Sequence, residues 1–259
     1  ISEALTVFER DNAIFRANVP ALGYAVYYYQ PSDEFNKAFR SQGDYAERAK
    51  LCADIVLEND ILKIFFNEKG NVSSIFDKRS NQEVLTEESR AVIIDENEHD
   101  TWSHGKNHFD KEIDAFECLQ VEKLESNAIR ETVKVCSSYG KSELTQYYTL
   151  HAGEDFVRVK VKLNWNEKHK MLKFVFPVKA NKPTSLYEIP FGSLERPCNG
   201  EEEPALTWAM LGDTDIGLAV LNDSKYSYSA NGNELALTGI RSPIYCDHSL
   251  KRSTESNYT

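Results

Sequence analysis

Asn59-Asp60-Ile61-Leu62-Lys63-Ile64-Phe65-Phe66-Asn67-Glu68-Lys69-Gly70-Asn71-Val72-Ser73-Ser74-Ile75-Phe76 reads as turn, strand, turn, strand. The run from Ile61 to Phe66 is apolar and aromatic, which suits a half-buried sheet surface. Asn59-Asp60 and Asn67–Gly70 carry turn chemistry, because Asn and Asp side chains bond nearby backbone and Gly tolerates left-handed φ. Asp54-Ile55-Val56-Leu57-Glu58 lies just before the first turn and supplies a third run. Three short runs joined by tight turns predict a meander of antiparallel strands.

The same rhythm extends toward the C-terminus. Ala128 to Val135, Glu143 to His151 and Phe156 to Leu163 each predict a strand. Phe156-Val157-Arg158-Val159-Lys160-Val161-Lys162-Leu163 alternates apolar and basic residues, so one face is expected to be buried and the other wet. Met171 to Val178 is largely apolar and is expected to be central in a sheet. Tyr187-Glu188-Ile189 ends at Pro190 in a sheet-rim turn, and Gly217–Leu221 and Glu234–Thr238 add two more strands. No helix-period segment longer than about ten residues stands out. The expected fold is therefore all-β, a large antiparallel β-sandwich over residues 51–259.

The first 50 residues read differently. Ala4–Phe8, Asn12–Val19 and Tyr24–Tyr29 predict strands, with Pro20–Gly23 as a turn, and residues 31–50 are a polar connector. These are expected to be the last strands of a smaller β domain whose beginning is missing. The first residue is Ile rather than Met, so the chain is expected to be a piece of a longer protein.

Composition limits the function. The 259 residues are 41% hydrophobic, enough for a sizeable core, and acidic residues exceed basic ones by 41 to 30, a formal charge of −11. A field of that sign repels phosphate backbones, so no nucleic-acid partner is expected, and a neutral ligand such as a sugar suits it better. No apolar run approaches 18 residues, and no membrane partner is expected. Cys52, Cys118, Cys136, Cys198 and Cys246 are odd in number and form no C-x-x-C pair, which argues for reduced thiols and a cytoplasmic setting.

The segment Asn59 to Lys78 resembles the entry to the large C-terminal β domain of the α-mannosidases of glycoside hydrolase family 38, bacterial type. Val19–Tyr24, Asp100–Gly105, Tyr187–Pro197, Glu203-Pro204 with Trp208, Gly217–Tyr226 and Leu237–Pro243 repeat that resemblance in order along the chain. The resemblance implies a galactose-mutarotase-like supersandwich, truncated here at its C-terminus. It implies a parent enzyme that hydrolyses α-mannosides with retention, and upstream catalytic and helical domains of the same chain as partners. A homodimer stays open. The nucleophile and the zinc (or other divalent metal) ligands belong to the family's N-terminal part, which has no counterpart here. No catalytic residue, metal ligand or cofactor is therefore assigned to this segment, and it is expected to be inactive alone. Retaining hydrolysis needs two carboxyl groups about 5 Å apart across the sugar, and scattered surface carboxylates do not make such a pair.

Five residues are candidates for the rim of a substrate cleft: Asp100, Trp102, Glu195, Arg196 and Arg241. His99, His104 and His108 flank Asp100 and Trp102, but their spacing fits no familiar zinc pattern. The segment is either a hydrogen-bonded loop or a sugar-contacting edge. Trp102 could lie against the apolar face of a pyranose while Asp100 accepts a hydroxyl hydrogen bond, or it could be a core tryptophan. Glu195 and Arg196 point to opposite faces of a strand, so a salt bridge at the sheet rim competes with sugar binding. Glu201-Glu202-Glu203 reads as a solvated charge run. Arg241 precedes Ser242-Pro243 at a strand end and either reaches a substrate cleft, braces a domain interface, or makes a local ion pair. Two other functions are weighed: an independent carbohydrate-binding β-sandwich module, and an aldose-epimerase-like enzyme, which would need His and Glu converging in a cleft.

Overall fold

The computed structural model describes residues 6–9, 12–28, 55–98 and 100–245. The expected connector 31–50, Cys52, His99 and Cys246 lie outside the described residues. Every paired strand is antiparallel, and no α-helix occurs among the described residues. β1 (Thr6–Glu9) and β2 (Asn12–Phe15) form a hairpin by themselves. β3 (Ile55–Glu58), β4 (Leu62–Phe66), β5 (Val72–Asp77) and β6 (Gln82–Glu83) make the expected meander.

β7 (Arg90–Asp95) and β8 (Glu112–Ala115) begin a six-stranded sheet, and β9 (Glu117–Ser126), β10 (Arg130–Tyr139), β11 (Ser142–His151) and β12 (Arg158–Asn164) form a second meander. The chain then returns through β13 (Lys170–Pro177) to the large sheet. β14 (Thr184–Ile189), β15 (Gly192–Arg196), β17 (Trp208–Gly212) and β18 (Gly217–Leu221) build a four-stranded sheet. β16 (Asn199–Pro204), β19 (Ser227–Asn231) and β20 (Glu234–Arg241) complete the large one, in the order β16-β19-β20-β13-β7-β8.

Three packing layers explain why the apolar runs sit where they do. Leu57, Ile64 and Phe66 meet Val121, Val133, Val135, Tyr148 and Leu150, so the first meander packs on the second. Phe66 and Tyr148 meet edge to face at 5.0 Å, a favoured aromatic geometry. Ile93, Leu172, Phe116 and Leu144 join the large sheet to the second meander. Tyr187, Ala209 and Leu211 pack on Tyr228, Leu235 and Leu237, joining the last four-stranded sheet to the large one. β13 is covered on both faces, Met171 and Val175 in one cluster and Leu172 in another, as its largely apolar run implies.

The turn residues act as the sequence indicates. Asn59 Oδ1 accepts from the Ile61 and Leu62 amides at 2.8 and 2.7 Å, and its Nδ2 donates to the carbonyls of His151 and Glu154. One side chain thus shapes the β3–β4 turn and ties it to the end of β11. Gly70 has φ +71°, and a Cβ there would meet Val135 Cγ1 at 2.7 Å and Cys118 Sγ at 2.8 Å. Only glycine satisfies both the backbone and the space.

Three expectations fail. Tyr24 to Tyr28 forms no strand, and Tyr24 and Tyr28 are exposed. β-Branched and aromatic residues favour extended chain, but a strand also needs a ladder partner, and none of the described residues supplies one. The second strand likewise stops at Phe15 rather than Val19. In β12 the alternation is present but neither face is buried: Val159 and Val161 remain 44% and 43% exposed. They pair with Tyr148 and Gln146 and so lie on the inner face of the sheet. At this edge, the layer that covers Tyr148 no longer reaches them.

Candidate functional site

The end of the large sheet near Asp95 and Arg241 gathers the most connected polar groups. β7 and β20 flank β13, with Met171 paired to both Ile94 and Arg241. Glu96, the residue just past β7, and Arg241, the last residue of β20, therefore emerge side by side. Arg241 Nε donates to Glu96 Oε1 at 2.6 Å, and the Glu96 side chain is wholly buried. Burial pushes the Glu96 carboxyl above the ordinary carboxylate range, while the Arg241 guanidinium opposes that shift. The same guanidinium stacks 4.5 Å over the Phe109 ring, and reaches Ser103 Oγ at 3.3 Å and the Asp100 carbonyl at 3.5 Å.

Asp100 to Lys106 is a compact loop. Asp100 bridges to Ile244, Thr101 donates its amide to the Ile244 carbonyl, and Ser103 to Gly105 form one 3-10 turn. Asp100 is buried, and its Oδ1 accepts the Trp102 amide at 2.9 Å. The carboxylate expected to meet a sugar hydroxyl is thus engaged in shaping the loop, an Asx-turn arrangement. Trp102 itself is 65% exposed, so it is not a core tryptophan. Ser103 holds φ +55°, which a non-glycine residue adopts only when its surroundings enforce it.

Glu195 and Arg196 belong to another neighbourhood. Arg196 forms an ion pair with Glu203, donates to the Pro204 carbonyl and lies 5.5 Å over the Tyr187 ring. Its partner is across the sheet rim rather than next in sequence, and Glu195 is exposed. β16 spans the two neighbourhoods: the Glu202 amide donates to the Asn107 carbonyl and His108 bridges to Glu201, while Glu203 holds Arg196. Glu201-Glu202-Glu203 is not a solvated run. Glu202 is nearly buried, paired with Lys173 and accepting from Thr238 Oγ1 at 3.0 Å. Lys173 in turn donates to Ser229 Oγ at 3.1 Å.

The sequence reading missed Glu96, Phe109 and the Lys173–Glu202 pair. Glu96 closes the apolar run Ala91 to Ile94 and resembles any strand-end acid; only the strand order places Arg241 beside it. Among the described residues, no group of three or more His, Cys, Asp or Glu is arranged to hold a metal. A concavity of about 250 Å³ opens beside the loop, lined by Asp95, Glu98, His108, Phe109, Asp110 and Lys111.

Known proteins share this architecture and sequence. A crystal structure of an alpha-mannosidase from Enterococcus faecalis V583 superposes with a TM-score of 0.63 at 12% identity, over 73% of this chain and 26% of that one, a likeness of fold alone. Alpha-mannosidase G of Dictyostelium discoideum is 28% identical over 235 residues, 82% of this chain and 22% of the relative. Alpha-mannosidase 2C1 of Mus musculus is 39% identical over 110 residues, 39% of this chain and 11% of the relative. The chain thus spans about a fifth or less of the length of these curated relatives. The family model "Glycosyl hydrolases family 38 C-terminal domain" matches residues 57–249. With about three quarters of the sequence inside that match, and all-β antiparallel sheets throughout, the chain belongs to the glycosyl hydrolase family 38 C-terminal domains.

Proposed function

We propose that this chain is the C-terminal β region of an α-mannosidase, and that in the intact enzyme it supports the catalytic domain and forms one rim of the mannoside cleft. The observation that carries the rim reading is Trp102, a large aromatic held 65% exposed on a loop pinned at nearly every backbone turn. An indole exposed on a backbone-held loop offers an apolar face to a pyranose. Arg241 braces the loop, Asp100 shapes it, and the −11 charge suits a neutral ligand. Residues 51–259 form the large sandwich in this proposal, and residues 1–50 close a smaller β domain. The facing clusters between sheets support the first part.

Hydrolysis with retention needs a nucleophilic carboxylate and a second carboxyl acid flanking the glycosidic bond. Both are assigned to the upstream part of the parent enzyme, as is a divalent metal that orients sugar hydroxyls there. This chain's contribution is binding and orientation. Cys118, Cys136 and Cys198 are free thiols, in keeping with a cytoplasmic setting.

The test compares this chain with the intact parent on an aryl α-mannoside. The parent is expected to turn over, and the chain alone is expected to give no turnover with or without added zinc. Turnover by the chain alone overturns the division of labour. Retention of the isolated chain on immobilised mannose would favour an independent binding module instead.

A further inference from the structure

We propose that Glu96 is a positioning residue for the Trp102 loop, holding Arg241 in the one orientation that clamps Ser103 and Asp100. The inference rests on the reading of Trp102 as part of the substrate rim. Glu96 lies outside the loop and is wholly buried, so it touches no ligand itself. Its Oε1 takes the Arg241 Nε–H at 2.6 Å, which leaves the two Nη groups of the planar guanidinium available to other acceptors. Nη1 meets Ser103 Oγ at 3.3 Å, and Nη2 meets the Asp100 carbonyl at 3.5 Å. The Phe109 ring centroid lies 4.5 Å from the guanidinium carbon, a cation–π contact that adds to its hold.

Ser103 is the residue that needs such a clamp. It sits at φ +55°, with its amide on the Asp100 carbonyl and its own carbonyl accepting from Lys106. Trp102 lies between Asp100 and Ser103, so the two contacts of Arg241 bracket the tryptophan on both sides. Oε2 of Glu96 is buried with no hydrogen-bond partner among the described residues. A buried carboxylate held in this way is costly to keep unless a partner as strong as Arg241 neutralises it. The sheet order explains the device: Glu96 and Arg241 leave strands on either side of β13 and meet only because both strands end together.

Hydrogen exchange of this chain tests the proposal, using Glu96→Ala and the conservative Glu96→Gln, which keeps an acceptor opposite Arg241 Nε. The amides of Ser103 and Lys106 are expected to exchange about tenfold faster in Glu96→Ala. In Glu96→Gln the acceleration is expected to be smaller, and the β13 amides are expected to be unchanged in both variants. Unchanged loop exchange in Glu96→Gln and Glu96→Ala overturns the proposal. So does equal acceleration of the loop and β13, which marks Glu96 as merely structural. If Glu96→Ala does not fold, the loop-to-β13 comparison in Glu96→Gln decides alone. In the intact parent, a loosened loop is expected to raise KM for an aryl α-mannoside with kcat little changed. A loosened loop with unchanged KM leaves the positioning role standing and sinks the rim reading, so the two failures are distinguishable.

Discussion

Replacing Asn59 by Ala should destabilise the protein more than any other single polar change in the first meander. The side chain makes four hydrogen bonds, two accepted from Ile61 and Leu62 and two donated to His151 and Glu154, all between 2.7 and 2.8 Å. Alanine leaves two amides and two carbonyls without these partners. At about 1 kcal/mol net for each of the four bonds, with water recovering part at this half-buried turn, the loss is about 3–4 kcal/mol. Asn59→Asp keeps the acceptor for the two amides but sets a carboxylate oxygen against two carbonyls, so about 2 kcal/mol or more should still be lost. Urea unfolding followed by tryptophan fluorescence measures both, and the slope m should stay constant because the surface exposed on unfolding is the same. A loss below about 1 kcal/mol in Asn59→Ala at constant m would show that the turn is held by β3–β4 pairing alone, and would refute the reasoning.

Two further outcomes follow from the same structure. Burial alone would raise the Glu131 pKa, but bonds from Lys123, Ser126 and the Glu58 amide hold it below the usual carboxylate range. Its folded pKa is therefore below the unfolded value of about 4.3, so its stabilisation is full above that pH and is lost as pH falls through the folded pKa. Glu131→Gln should flatten that part of the acid limb in pH-dependent unfolding; an unaltered limb contradicts the assignment. On β12, Val159→Thr and Val161→Thr should each change stability by no more than about 0.5 kcal/mol, whereas Val133→Thr, in the core, should cost about 1–3 kcal/mol; equal losses would mean that the edge is covered.

How far the fold is legible from the sequence depends on which force decides each element. Tight turns are local, so Asn59-Asp60, Asn67–Gly70 and Pro190-Phe191 mark strand ends within a residue or two of those observed. Largely apolar runs identify strands covered on both faces, as at β13, where Lys173 is the one internal polar residue. Alternation is weaker evidence: in β12 it places the valines on one face but does not reveal that the covering layer stops short of them. Tyr24 to Tyr28 fails for the complementary reason, since strand propensity is present but no described ladder partner is. The candidate site was legible by residue type more than by partner. Trp102 and Arg241 fall in one cluster, but Glu96 could not be found, because its pairing with Arg241 is set by strands about 145 residues apart. For Arg196 the sequence offered a salt bridge at the sheet rim without naming its partner, and Glu203, on β16 of the neighbouring sheet, fills that place.

The central claim is that the Trp102 loop forms one wall of the mannoside cleft in the intact enzyme. Steady-state kinetics of the parent on an aryl α-mannoside, wild type against Trp102→Ala, with Tm measured on the same samples, test it most directly. Loss of one sugar contact of about 1–3 kcal/mol should lower kcat/KM roughly 5- to 150-fold. Because the side chain is mostly exposed, Tm should move little. Unchanged kcat/KM, with or without a drop in Tm, would contradict the account.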